Sequence, residues 1–134
     1  MPIDVYAEEI IAHYEKPHNK GEIKSPSVKM HENNPLCGDD ITIYMNIEKD
    51  KVVDVKFTGA GCAISMASAS MLTDFVKGKS LAEIEKMGFP TIKELLGIDP
   101  GPARMKCATL SLKTLKEASF IYQHKEIDNK TKDL

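Results

Sequence analysis

Ile41, Ile43, Met45 and Ile47 alternate with Thr42, Tyr44, Asn46 and Glu48. This period of two constrains the chain most, because only an extended strand with one buried face puts every second side chain on the same side. Lys49-Asp50-Lys51 then supplies a turn, and Val53, Val55 and Phe57 alternate with Val52, Asp54 and Lys56. A hairpin follows, so the sheet is expected to be antiparallel. A further strand is expected over Ser27 to His31, interrupted by the breaker Asn33-Asn34-Pro35.

Helical signals flank this sheet. Asp4 to Tyr14 reads as a short amphipathic helix that ends before Pro17. Gly59-Ala60-Gly61 is an elbow, and Cys62 to Val76, rich in Ala, Met, Ser and Leu, opens a helix in which Met66, Met71 and Phe75 fill the core. The capping boxes Ser80-x-x-Glu83 and Thr91-x-x-Glu94 open Leu81 to Met87 and Ile92 to Leu96, closed by Gly88 and Gly97. After the turn Asp99 to Pro102, the stretch Ala103 to Tyr122 predicts a long amphipathic helix with Leu110, Leu112 and Leu115 on or near one face. Strands early and helices late give an α+β fold: a small three-stranded antiparallel sheet with helices packed on one face. With 134 residues, one domain over residues 1–124 is expected, followed by a flexible charged C-terminal tail, 125–134, that frays.

The 18 basic and 20 acidic residues give a net charge of −2, and Arg104 is the only arginine. A nucleic-acid partner is therefore disfavoured. No apolar stretch is long enough for a membrane, and the start MPIDVYAEEI carries acids where an export signal carries basic groups, so a cytoplasmic protein is expected. Three cysteines, Cys37, Cys62 and Cys107, cannot all pair within one chain and are read as reduced thiols.

Each cysteine sits at a junction: Cys37 in the loop 33–40, Cys62 at a helix opening, Cys107 in the first turns of the last helix. Helix N-termini carry partial positive charge that suits anionic sulfur, and Gly38, Gly59 and Gly61 leave room for a bulky ligand. A tetrahedral site needs a fourth donor, and Asp39, two residues after Cys37 across a glycine, is the best candidate. Zinc accepts such a set, whereas iron-sulfur clusters more often take four thiolates; one hard oxygen among sulfurs makes a weak corner, useful if a cluster must leave. The competing readings are three unrelated core cysteines and an Asx-turn at Asp39 or Asp40. His13, His18, His31 and His124 read as surface or packing residues, and Lys106 as a solvated lysine.

The segments Asn34-Pro35-Leu36-Cys37-Gly38-Asp39, Gly59-Ala60-Gly61-Cys62-Ala63-Ile64-Ser65 and Arg104-Met105-Lys106-Cys107-Ala108 resemble the three signature blocks of the U-type iron-sulfur assembly scaffolds, the IscU, SufU and NifU N-terminal family. His13-Tyr14, Pro17 and Asn19 are similar to that family's opening helix and turn. The resemblance covers roughly residues 5 to 122 and implies a site formed by Cys37, Asp39, Cys62 and Cys107. Its implied cargo is a transient 2Fe-2S cluster, with zinc as an alternative occupant. A cysteine desulfurase is the implied sulfur donor, and apo iron-sulfur proteins are the implied recipients; Cys107, placed early in the last helix where the dipole holds a thiolate without burying it, is expected to be the persulfide acceptor. A second copy of the chain is a further candidate partner.

On this reading the chain is a carrier and not a turnover enzyme. The alternatives are a zinc-dependent sulfur acceptor, which is enzymatic, and a structural zinc domain. The chain departs from one branch of the family by carrying Lys106 where that branch has a histidine. It departs from the SufU branch, which its third block otherwise resembles, by lacking an insertion between the second and third cysteines.

Overall fold

The computed structural model describes residues 2–35 and 38–134. Its sheet has the order β1-β2-β3, antiparallel throughout, with β1 Val28–Asn34, β2 Asp39–Glu48 and β3 Lys51–Ala60. The alternating run lies in the central strand, where Ile41, Ile43, Met45 and Ile47 are buried. Lys49 and Asp50 both take positive φ (52° and 61°), the two-residue turn whose twist suits a hairpin.

Two strand expectations need correction. β1 continues through Asn33 and Asn34, which pair with Asp40 and Asp39; the ladder stops only at Pro35, which has no N–H to donate. In β3 the expected parity fails at its start: Val52 is buried and Val53 is 50% exposed. A register shift between Asn46 and Ile47 sets Val52 opposite Ile47 and changes which face each residue takes. Adjacent valines conceal such a shift in the sequence.

α1 (Pro2–Glu15) packs on α2 (Ala63–Val76), and α2 and α5 (Met105–Tyr122) pack on each other and on the sheet, α5 against β1 and β2, α2 against β3. α5 is buried nearly all round and not amphipathic, because α2, α3 (Leu81–Glu85), α4 (Phe89–Leu96) and the sheet surround it. Even Lys116 is buried, its ammonium donating to the Met87 carbonyl at 2.7 Å, which offsets part of the cost of taking a cation from water. Met66 and Met71 join the core as expected, whereas Phe75 is partly exposed beneath the Lys79 ammonium.

The Ser80–Glu83 capping box forms. The second does not: α4 starts at Phe89, with Gly88 as its N-cap and Pro90 in its first turn, so Thr91 lies inside the helix. Proline favours a helix's first turn, where its missing N–H costs nothing, and this moves the start forward. Gly97 closes α4 in the left-handed conformation (φ 75°).

The chain end also differs from expectation. Residues Asn129–Lys132 form a capped turn, α6, with Asp128 accepting from the Thr131 N–H at 2.9 Å, Thr131 buried and Leu134 against the core. Charge in the tail predicts fraying, but two side chains anchor it. Among the described residues no helix is long and apolar enough to cross a membrane.

Candidate metal centre

The last pair of the β1–β2 ladder is Asn34 with Asp39, and the loop between them returns through Gly38, whose N–H donates to the Asn34 carbonyl at 2.8 Å. Gly38 takes a φ of 71°, which a glycine adopts without strain. Beside this end, β3 runs out at Ala60 and the chain turns through Gly61 to Cys62, the N-cap of α2. The first turn of α5 brings Cys107. The ligand atoms of Asp39, Cys62 and Cys107 all lie within 4.8 Å of one another, the one such group of three among the described residues. Around a single tetrahedral ion with bonds of about 2.0–2.3 Å, donors stand ~3.5–3.8 Å apart, so small adjustments close this set.

Asp39 is the most constrained member. It is 1% exposed. Its Oδ1 accepts the Cys62 N–H at 3.0 Å, and its Oδ2 has no hydrogen-bond partner among the described residues. A buried carboxylate oxygen without a donor is costly, and a cation is the group that relieves that cost. The Asx-turn reading assigns Asp39 a main-chain N–H nearby in sequence; its observed partner is 23 residues away, at the head of another element.

Gly61 is part of the same construction. A Cβ built there would stand 2.5 Å from Asp39 Oδ1, so the absence of a side chain is what lets the carboxylate reach the Cys62 N–H. A Cβ at Gly59 would stand 2.1 Å from the Asp40 carbonyl oxygen, at a φ of 148°. Two glycines thus let β3 and the α2 approach pass close behind Asp39 and Asp40. The N-termini of α2 and α5 both face the set, and their partial positive charge suits anionic donors.

Of the four sequence candidates, the structure brings Asp39, Cys62 and Cys107 together; Cys37 lies outside the described residues. Cys62 is partly exposed, whereas Cys107, expected to hold its thiolate unburied, is 1% exposed, because α5 packs on β1 and β2. Asn34, missed in the sequence because it was read as part of a breaker, reaches Cys107 Sγ with its Nδ2 at 4.0 Å; a period-two pattern extended by one more pair was its only signal. Lys106 is not a free surface lysine: its ammonium donates to the main-chain oxygens of Asp133 at 2.7 Å and Leu134 at 2.9 Å.

Of the four histidines only His13 is partly buried; His124 is exposed, and His31 is exposed with its Nε2 2.8 Å from Asp40 Oδ2. His13 Nδ1 and the His18 N–H both meet Ser70 Oγ, at 2.6 and 2.8 Å, and His18 Nδ1 pairs with Asp74, tying α1 and the following turn to α2. Burial, then the charge of His18, pushes the His13 imidazole below its ordinary value.

Residues 5–129 match the family described as the NifU-like N terminal domain. The zinc-dependent sulfurtransferase SufU of Bacillus subtilis is 41% identical over 130 aligned positions, covering 84% of this chain and 88% of that one. The iron-sulfur cluster assembly scaffold protein IscU 1 of Archaeoglobus fulgidus is 34% identical over 121 positions, covering 90% and 78%. A solved structure from Fervidobacterium islandicum, proposed as the iron-sulfur cluster assembly scaffold of the SUF system, superposes with a TM-score of 0.76 at 30% identity, over 87% of this chain and 97% of that one.

Proposed function

This chain belongs to the NifU-like N terminal domain family, and on that footing we propose that it is an iron-sulfur cluster assembly scaffold. In this reading it receives sulfane sulfur from a cysteine desulfurase, an external thiol or redox-protein reductant supplies the two electrons that turn each sulfur into sulfide, and the resulting 2Fe-2S cluster is carried as cargo and passed to apo-proteins. Cys37, Asp39, Cys62 and Cys107 are the proposed ligands. The observation that carries the reading is Asp39: a buried carboxylate with one oxygen unpartnered, within 4.8 Å of two cysteine sulfurs. A hard oxygen among thiolates is the corner that an incoming thiolate displaces most readily, which suits a cluster meant to leave.

Sulfur arrives by exchange. The Cys107 thiolate attacks the outer sulfur of the desulfurase persulfide; the new S–S bond forms as the donor bond breaks, and the electron pair leaves with the desulfurase cysteine as thiolate.

A second reading, a zinc-dependent sulfurtransferase, is favoured by the 41% identical relative that bears that name and by the donor set, which zinc accepts as readily. Asp39 and the cysteines would hold the zinc, whose positive charge would keep sulfur as thiolate. Anaerobic purification followed by iron, zinc and acid-labile sulfide analysis, before and after incubation with desulfurase, iron and cysteine, with and without a thiol reductant to carry sulfane sulfur to sulfide, separates the two. Stoichiometric iron and labile sulfide support the scaffold; persulfide on Cys107 with zinc retained and no labile sulfide supports the transferase; and inertness toward the desulfurase removes both.

A further inference from the structure

Cys107, the proposed sulfur acceptor, is 1% exposed, and no persulfide on another protein reaches it in this arrangement. What lies beside it is the chain's own end. Lys106, its neighbour, holds the main-chain oxygens of Asp133 and Leu134. Leu134, Lys132 and Lys106 wall a cavity of about 220 Å³ whose opposite side is Asn33, Asn34 and Pro35, and Asn34 is the residue that reaches Cys107 Sγ. The chain end therefore sits between the first turn of α5 and the loop that leads into the metal centre.

This end hangs on two anchors, Thr131 and Leu134. His124, Lys125 and Glu126, which lead into it, are exposed, and His124 takes a left-handed φ of 58°. A second cavity of about 460 Å³, walled by Lys130, Asp133 and Leu134 together with Met87 and Phe89, opens on its other side. Its anchor Thr131 is buried and capped by Asp128. A short segment flanked by two cavities and entered through exposed residues belongs to the low-stability end of a fold, the part that opens first.

We propose that residues 125–134 form a strap and Lys106 its clasp: docked, the strap holds the first turn of α5 closed and keeps Cys107 buried; released, it opens Cys107 to the sulfur donor. Lys106 is thus a positioning residue that acts through the chain end and not through the metal. The inference rests on the sulfur-acceptor reading of Cys107 only for its purpose; its mechanical part stands on burial alone.

The test uses the chain freed of metal by a chelator, with helix content checked by circular dichroism. Iodoacetamide labelling is followed per residue by mass spectrometry in the wild type, in Lys106→Met and in a chain ended after Lys125. Both changes are expected to raise the labelling rate of Cys107 about fivefold or more while Cys62 stays within about twofold. An unchanged Cys107 rate in both variants overturns the strap, as does a parallel rise at both cysteines, which signals general loosening. Amide exchange over residues 106–110 in the zinc-loaded protein gives an independent readout: faster exchange confined to that turn in Lys106→Met supports the strap, and wild-type exchange overturns it. Sulfur transfer from a desulfurase is measured in parallel. If labelling responds but sulfur never reaches Cys107, the strap stands and the acceptor role falls.

Discussion

Replacing Gly61 with alanine tests whether the carboxylate is held where a metal needs it. The added Cβ lands 2.5 Å from Asp39 Oδ1 and 3.3 Å from Asp39 Cβ, and a real carbon–oxygen contact of that kind is about 0.7 Å longer. Asp39 is 1% exposed and cannot swing into solvent, so the carboxylate must leave the Cys62 N–H that it accepts at 3.0 Å. Losing a hydrogen bond to a charged group costs about 1.5–3 kcal/mol, and overpacking a filled site about 1–3 kcal/mol. Gly61→Ala should therefore lower the urea-unfolding stability of the metal-free protein by about 2–4 kcal/mol. It should also weaken zinc binding, measured against a competing chelator, by about tenfold or more.

The decisive comparison is a double-mutant cycle. Asp39→Ala removes the atom that collides and the oxygen left without a partner, leaving only the milder Cβ contact, so in that background Gly61→Ala should cost less than about 1 kcal/mol. The coupling energy is then at least ~1 kcal/mol. An alanine at position 61 that costs the same in both backgrounds would show that Asp39 is not seated against the α2 approach, and the argument for a preformed carboxylate ligand would fail.

His13 is held below its ordinary value by burial first and by His18 second, so the folded state binds fewer protons than the unfolded state as pH falls through about 6.5. Stability is full above that pH and declines below it; urea midpoints from pH 7.5 to 5 should show this slope in the wild type and a shallower one in His13→Gln. Glu117, 5% exposed, is pushed up to about 7 by burial and then by its neighbour Glu32. The folded state then holds an extra proton between the ordinary carboxylate range and pH 7, and stability falls as pH rises through that window. Glu117→Gln should stabilise the protein by about 1–2 kcal/mol at pH 8 and have little effect at pH 4; an equal effect at both pH values would contradict a Glu117 held protonated by burial.

The sheet was legible because β2 buries one face, so Ile41 to Ile47 could not hide their period. The bulge at Asn46 and Ile47 was not, since Val52 and Val53 are equally apolar and only the register separates them. α5 reads as amphipathic because Leu110, Leu112 and Leu115 lie on or near one face; packing on several sides buries even Lys116 and Glu117, and no local pattern announces a third or fourth neighbour. At the centre, the spacing of Cys37 and Asp39, together with the glycines, pointed to a shared site, and Asp39, Cys62 and Cys107 do converge. The contacts that build it were out of reach: Asn34 on Cys107, Gly61 against Asp39 and Lys106 on the chain end join residues 73, 22 and 27 apart in the sequence.

The most direct test of the scaffold account is the passage of iron and labile sulfide from the reconstituted protein to an apo-ferredoxin, followed by visible absorbance and by metal analysis of the separated proteins. The account predicts that the wild type gives up its cluster intact and that Asp39→Ala, which lacks the exchangeable oxygen corner, assembles a cluster but releases it more slowly. A wild-type cluster that stays on the chain, or an Asp39→Ala cluster that moves at the wild-type rate, would contradict it.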